Sequence, residues 1–165
     1  MSLRVESVAL VLGDGDQQVK ALDNVSFEVA PGELLAVVGP SGSGKSSLLA
    51  VCGGLRKPTS GKIHVGDTEI TGLDPEQLTR VRREKIGFVF QQSNLLPALT
   101  VLDQLLLTVH LRGTSPGTAA RDRAMGLLQQ VGMDGRSHRR PAELSGGERQ
   151  RVGIARALMS SPSVL

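Results

Sequence analysis

A glycine-rich loop, placed between an apolar run and a helix, is the feature that most limits what this chain can fold into. Residues 34–38 are continuously apolar, which is typical of a strand buried on both faces of a parallel sheet. The loop that follows reads Gly39-Pro40-Ser41-Gly42-Ser43-Gly44-Lys45-Ser46, with Ser47 directly after it. This string matches G-x-x-x-x-G-K-[ST], and a helix is predicted to begin near Lys45. The order strand, loop, helix predicts an α/β fold.

The residue types of this loop suit the binding of phosphate. Glycines let successive backbone N–H groups point at phosphate oxygens without clashes from Cβ atoms, and the following helix adds the positive end of its dipole. Lys45 would supply a cation for the β- and γ-phosphates, and the Ser46 hydroxyl would bind Mg²⁺. The alternative is a chance match in a glycine-rich loop, and the strand and helix on either side argue against it. The predicted nucleotide contacts are Gly39, Pro40, Ser41, Gly42, Ser43, Gly44, Lys45, Ser46 and Ser47.

The composition fits one ordinary globular domain of 165 residues with an aliphatic core, because Phe27, Phe88 and Phe90 are its only aromatic residues. The net charge of +3 is mild, and the basic stretches lack interleaved aromatic residues, so no nucleic-acid partner is expected. A single cysteine, Cys52, fits a reducing compartment. The N-terminus does not resemble a signal peptide, and no apolar run reaches the length of a membrane span. Any role at a membrane is therefore expected from the cytoplasmic side, through a partner.

The remaining elements are predicted from periodicity and capping residues. Strands are predicted over residues 3–12, 19–29, 62–70 and 86–90, with a turn at Gly13-Asp14-Gly15 between the first two. Asp74 and Pro75 offer an N-cap and a first helical residue for a helix through residue 85. Further helices are predicted over residues 100–112, 118–131 and 144–159.

A second motif, Leu144-Ser145-Gly146-Gly147-Glu148-Arg149-Gln150, opens the last helix. A capping box explains Ser145 and Glu148 but does not require two glycines between them. The string is the ABC signature motif, and together with the phosphate loop it makes the chain resemble the ATP-binding subunits of ABC transporters. Residues 82–102, and especially residues 86–97, are similar to the subgroup that serves lipoprotein release and macrolide export.

The resemblance implies a fold and an activity. The fold is a RecA-like phosphate-loop core with a small antiparallel β-subdomain, from residues near 1–30 and 60–72, and a helical subdomain over about 92–145. Residues 1–165 then form one ABC-type ATP-binding domain, incomplete at the C-terminus. The family binds and hydrolyses MgATP to drive transport through a permease at the cytoplasmic face of the membrane. Its subunits dimerise head to tail, so that Ser145, Gly146 and Gly147 close on the γ-phosphate held by the other subunit.

The resemblance also assigns roles to the segment between the two motifs. Phe90-Gln91 resembles the family's Q-loop, in which Gln91 contacts Mg²⁺ and the attacking water. Gln91 and Lys45 are then the catalytic residues of this chain, and Ser46 and Gln91 its metal contacts. Leu95-Leu96-Pro97 would line the groove for the permease's coupling helix, although apolar residues of this kind also suit an ordinary core.

Three departures from the family pattern matter. The family usually stacks adenine on an aromatic residue where this chain has Leu12. The apolar run at Val164-Leu165 stops where the family continues into the Walker B Asp and the catalytic Glu, so the 165-residue polypeptide is expected to be inactive and prone to self-association. The family's switch histidine lies beyond that point, and His64, His110 and His138, whose spacing is unlike that of metal ligands, receive no role.

Two other functions compete with this one. One is a non-transport ABC ATPase of DNA repair or translation. The segment between Gln91 and Leu144 is too short for the coiled coil of repair members, and the chain is too short for the tandem domains of translation members. The other is a catalytically dead nucleotide-binding fragment, which an ATPase assay would distinguish from an enzyme.

Overall fold

A computed structural model describes residues 2–13 and 18–165 of the chain. The chain divides into two compact units: residues 1–85 with Val164, and residues 86–163 with Leu165. Of the predicted turn at Gly13-Asp14-Gly15, Asp14 and Gly15 lie outside the described residues. None of the helices in the described ranges is both long enough and apolar enough to cross a lipid bilayer.

The first unit is built on an antiparallel sheet. Strands β1 (Leu3–Leu12), β2 (Val19–Val29), β3 (Ser60–Val65) and β4 (Thr68–Glu69) lie in the order β2-β1-β3-β4. Along β1, Leu3, Val5, Val8 and Leu10 are buried, and register shifts after Val5 and Val8 keep these side chains on the core side. The two predicted N-terminal strands are thus confirmed.

A hairpin replaces the single strand that was predicted over residues 62–70. Val65 pairs with Thr68, which leaves Gly66 and Asp67 as a two-residue turn. Gly66 has φ +59°, in the left-handed region that such a turn requires. The Gly-Asp pair was therefore a turn signal that the prediction missed.

Two helices complete the first unit. Helix α1 (Lys45–Cys52) contacts β1 and β2 and buries Leu48, Val51 and Cys52. Helix α2 (Pro75–Lys85) begins as predicted, because Asp74 Oδ1 accepts a hydrogen bond of 2.8 Å from Gln77 N.

The second unit is a bundle of three helices. They are α3 (Val101–His110), α4 (Thr118–Gln130) and α5 (Gly146–Leu158), with short 3₁₀ turns at Asp134–Arg136 and Pro141–Glu143 between α4 and α5. Their shared core consists of Val101, Leu105, Leu106, Ala124, Leu127, Leu128, Met133, Leu144, Val152, Ala155 and Met159. All three helices confirm predictions to within about two residues, because their caps are local. The Thr100 hydroxyl accepts from Asp103 N at 3.2 Å.

The two apolar runs predicted as buried parallel strands are not strands in this structure. Residues 34–38 and 87–90 belong to no ladder of the described chain, and Leu34 and Val38 are 91% and 86% exposed. A parallel strand is buried only when strands and helices cover it on both sides. The described sheet is antiparallel and includes neither segment, so the prediction of two buried parallel strands was wrong for this polypeptide, although Ile86 at the start of the second run is buried.

Candidate functional site

The phosphate loop takes its shape from glycines with left-handed backbone angles. Gly39, Gly42 and Gly44 have φ of +154°, +80° and +86°. A Cβ atom on Gly44 would collide with the carbonyl oxygen of Ala21 on β2. Position 44 therefore requires glycine for two reasons, its backbone angle and the close approach of a neighbouring strand.

The Lys45 side chain curls back over this loop. Its Nζ donates hydrogen bonds to the carbonyl oxygens of Gly39 at 2.8 Å and Pro40 at 2.6 Å, and lies 3.3 Å from Ser43 Oγ. The ammonium group is thus held above the loop, where a phosphate oxygen would meet it. An arriving anion has to compete with two main-chain carbonyls for the same cation.

The first turn of α1 adds donors beside Lys45. The first helical hydrogen bond of α1 runs from Leu48 N to Gly44 O at 2.8 Å, so the amides of Lys45, Ser46 and Ser47 precede it. Ser46 is exposed, and its hydroxyl is free to face solvent or an ion. Amides, a helix N-terminus and an ammonium group together form a site suited to phosphate.

The second unit holds Gln91 in a segment without regular secondary structure. Gln91 is exposed, and the preceding rings of Phe88 and Phe90 stack with centroids 5.6 Å apart. Helix α5 contacts this segment through two long side chains. Gln150 Nε2 donates to Phe90 O at 3.2 Å, and Arg156 donates to Ser93 O at 2.8 Å and Asn94 O at 3.0 Å.

The signature motif forms the capped N-terminus of α5. Glu148 N donates to Ser145 Oγ at 3.2 Å, and Glu148 Oε2 accepts from Ser145 N at 2.8 Å, which is a reciprocal capping box. Arg136 Nε lies 2.9 Å from the other carboxylate oxygen of Glu148. The hydrogen bond from the Ser145 amide, followed by that from its side chain and by the charge of Arg136, lowers the pKa of Glu148.

No contact or backbone angle in the described part of the chain requires glycine at the two glycine positions of the motif. A Cβ atom on Gly146 or Gly147 would come only within 4.0 Å and 3.9 Å of the tips of Arg149 and Arg151, and neither glycine has positive φ. Both are exposed, as is Ser145. Their amides precede the first helical hydrogen bond of α5, from Arg149 N to Ser145 O at 3.0 Å. This helix end is therefore exposed at Ser145, Gly146 and Gly147 and accessible to a close neighbour.

The predicted site residues fall into both units. The first holds the whole phosphate loop with Ser46 and Ser47, and the second holds Gln91, Ser145, Gly146 and Gly147. The sequence predicts Gln150 only as part of the signature motif and does not single out Arg156, because their contacts join segments about sixty positions apart in the chain. No local pattern announces such contacts.

The other candidate chemical groups do not form a site. Burial raises the pKa of the Cys52 thiol to about 11, so it stays protonated and unreactive at neutral pH. His64 Nε2 lies 3.8 Å from Glu69 Oε2 in the sheet of the first unit. Over residues 2–13 and 18–165, no three His, Cys, Asp or Glu side chains are grouped as metal ligands.

Comparison with known proteins identifies the family. The family described as ABC transporter matches residues 22–165. MJ0796, an ABC transporter ATP-binding protein of Methanocaldococcus jannaschii, is 40% identical over 166 residues, 99% of this chain and 71% of that protein. The lipoprotein-releasing system ATP-binding protein LolD of Idiomarina loihiensis is 44% identical over 163 residues, again 99% of this chain and 71% of the relative.

Two further matches extend this result. The macrolide export ATP-binding/permease protein MacB of Escherichia coli is 39% identical over 163 residues, which are 99% of this chain but 25% of MacB. The solved dimeric structure of MJ0796 in a post-hydrolysis state, bound to ADP and Pi, has a TM-score of 0.88 over 97% of this chain and 70% of that one. The predicted α/β cassette fold and the resemblance are both confirmed. The chain belongs to the ABC transporter family, as an ATP-binding domain.

Proposed function

We propose that this chain binds MgATP and that the protein it belongs to hydrolyses ATP to drive transport through a partner permease. The observation that carries the proposal is the position of Lys45 Nζ above the loop, beside the first turn of α1. Residues 39–47 hold the phosphates in this proposal, and Ser46 binds the Mg²⁺. Gln91 contacts the metal and the attacking water.

The signature motif supports a second part of the proposal, a head-to-tail dimer. Ser145, Gly146 and Gly147 are exposed at a helix N-terminus, and nothing within the chain requires glycine at either position. A helix end of this kind favours an anion that approaches closely. We infer that it completes the nucleotide site of a second ATP-binding subunit. The relative MJ0796 is dimeric in its solved structure, which supports the proposal of a dimer.

The proposals of a partner permease and of a membrane location are supported by the names of the relatives. LolD belongs to a lipoprotein-releasing system, and MacB combines an ATP-binding part with a permease part. We propose that this domain likewise works with a permease, at the cytoplasmic face of the membrane. The proposed contact surface for the permease consists of Leu95, Leu96 and Pro97 in the loop after Gln91. Leu96 is 47% exposed there.

Calorimetric titration with MgATP tests the phosphate site. Replacing Lys45→Ala removes a charge-assisted contact of about 1.5–3 kcal/mol, so the affinity should fall at least about tenfold. Lys57→Ala, at an exposed position outside the loop, is the matched control and should bind like the wild type. Equal affinities in the Lys45 variant and the wild type would refute phosphate binding by this loop.

ATP hydrolysis, unlike ATP binding, needs a carboxylate that can act as the catalytic base. The carboxylates of Asp134 and Glu143 lie in the 3₁₀ turns of the second unit, and Glu143 is held there by Arg139 at 2.6 Å. We propose that neither can serve as the catalytic base, and that this polypeptide binds ATP without turning it over. A rate of about 1–100 per second that disappears with Lys45→Ala would contradict this.

A further inference from the structure

Helix α5 carries the signature motif at its N-terminus and also binds the segment that contains Gln91. Three hydrogen bonds join them: Gln150 donates to Phe90 O, and Arg156 donates to Ser93 O and Asn94 O. Gln91 and Gln92 lie between these anchored carbonyls and are exposed. The backbone is therefore held on both sides of Gln91 by one helix.

The order of the two anchors fits the direction of the segment. Gln150 and Arg156 are six residues apart, which corresponds to about 9 Å along a helix. Phe90 and Ser93 are three residues apart with a bend at Gln91 and Gln92, so they can span at most roughly 10 Å. The segment thus runs along α5 in the same direction, and it passes Gly153, where a Cβ atom would lie 3.8 Å from Ser93 Cβ.

Arg156 is the stronger of the two anchors. Its planar guanidinium donates through Nη2 to Ser93 and through Nη1 to Asn94, a fork that lysine cannot reproduce. Burial lowers the pKa of Arg156, and the two carbonyl oxygens are hydrogen-bond partners for this partly buried cation. Asn94 has φ +46°, an angle that few residues other than glycine adopt, and its carbonyl is one of the two that Arg156 holds.

We propose that Gln150 and Arg156 are positioning residues for Gln91. They act by fixing the carbonyls before and after it, so that the Gln91 side chain is presented in one orientation. The proposal rests on the role of Gln91 given under Proposed function. It implies that a displacement of α5 by a ligand at Ser145 moves the backbone at Gln91 with it, because both belong to one hydrogen-bonded body.

Backbone NMR relaxation on the purified protein tests the anchoring. Arg156→Lys keeps the charge but loses the fork, and Gln150→Leu removes the bond to Phe90. We expect the order parameters of residues 91–94 to fall in each variant, from near the rigid value of about 0.85 towards the flexible range below about 0.6. Gly153→Ala, on the same helix, adds a methyl group at ordinary contact distance and should match the wild type. Unchanged order parameters at residues 91–94 in both anchor variants would overturn the proposal, provided that α3 and α4 keep theirs.

Magnesium-dependent ATP binding tests whether the anchors act through Gln91. We expect Gln91→Ala to reduce the gain in ATP affinity that Mg²⁺ provides. Arg156→Lys should reduce this gain in the wild type but cause no further loss in the Gln91→Ala background. Fully additive losses would make Arg156 a general stabilising residue and overturn its positioning role. If Gln91→Ala itself changes nothing, the proposed role of Gln91 fails, whereas the relaxation measurement still decides whether α5 anchors the segment.

Discussion

Gln104 lies fully buried in α3 and binds both main-chain polar groups of Leu96. Its Nε2 donates to Leu96 O at 2.7 Å, and its Oε1 accepts from Leu96 N at 3.1 Å. Nε2 also lies 3.3 Å from Leu99 O. Gln104 is the only polar side chain among the buried residues of the described chain, and its three hydrogen bonds are all to this loop.

Replacing Gln104→Leu should destabilise the protein by about 1–3 kcal/mol. The loss arises because a leucine side chain cannot replace the three part-buried hydrogen bonds to Leu96 N, Leu96 O and Leu99 O. Urea unfolding measures the free energy change. Gln130→Leu, at an exposed position at the end of α4, is the control and should change stability by less than about 0.5 kcal/mol. Equal effects of the two substitutions would show that the Gln104 bonds contribute little.

Discrimination between ATP and GTP should be weak. Leu12, half-exposed at the end of β1 opposite Val19, cannot stack on a base as an aromatic ring does. We expect affinities within about tenfold of each other, or about 1.4 kcal/mol. Calorimetry with both nucleotides measures the difference, and Leu12→Tyr should widen it. A hundredfold preference for ATP in the wild type would mean that another residue recognises adenine.

The stability that Glu148 contributes should vanish in acid. Its carboxylate accepts from Ser145 N and pairs with Arg136, and these contacts lower its pKa in the folded state. A carboxylate with a lowered folded pKa stabilises the protein above its unfolded pKa of about 4.3, and the contribution is lost as pH falls through the folded value.

Glu148→Gln isolates this charge, because glutamine preserves the capping box. The wild type should be more stable than the variant at pH 7, and the difference should close as pH falls from about 5 to 3. Unfolding curves across this range measure it. Other acidic groups, such as Glu143 with its lowered pKa, titrate in both proteins and cancel from the difference. A gap that persists at pH 3 would contradict the assignment.

The 165-residue polypeptide should self-associate through residues 34–38. Leu34, Leu35, Val37 and Val38 are all exposed, and their backbone belongs to no described ladder. An unpaired apolar segment of this kind favours pairing with another chain. Light scattering should show a species larger than a monomer, and Val38→Lys should reduce it, whereas Leu55→Lys, at an exposed position elsewhere, should not. A monodisperse wild-type monomer with strongly protected amides in this segment would refute the prediction.

The sequence predicted best the features that depend on neighbouring residues. Helix starts at Pro75, Val101 and Gly146 follow caps whose donors lie within three or four positions. The phosphate loop was equally legible, because its glycines are required by local backbone angles.

Features that depend on distant segments escaped prediction. The apolar run at residues 34–38 is buried only if other strands and helices cover it, and the run's own sequence does not determine whether they do. The bonds from Gln104 and Arg156 to loop carbonyls arise from the packing of the second unit. Glutamine and arginine side chains on a helix usually face water, so the residue types at positions 104 and 156 did not predict these contacts.

The contact between Gly44 and the carbonyl of Ala21 restricts how this loop could be moved into another protein. The loop sequence alone would not carry its shape, because a strand from earlier in the chain forms the surface against which the first turn of α1 rests. A graft of residues 39–46 into a foreign scaffold would need a strand with its carbonyl at the same place. Without it, the transplanted glycines would be free to take other conformations, and the cradle for phosphate would be only one of them.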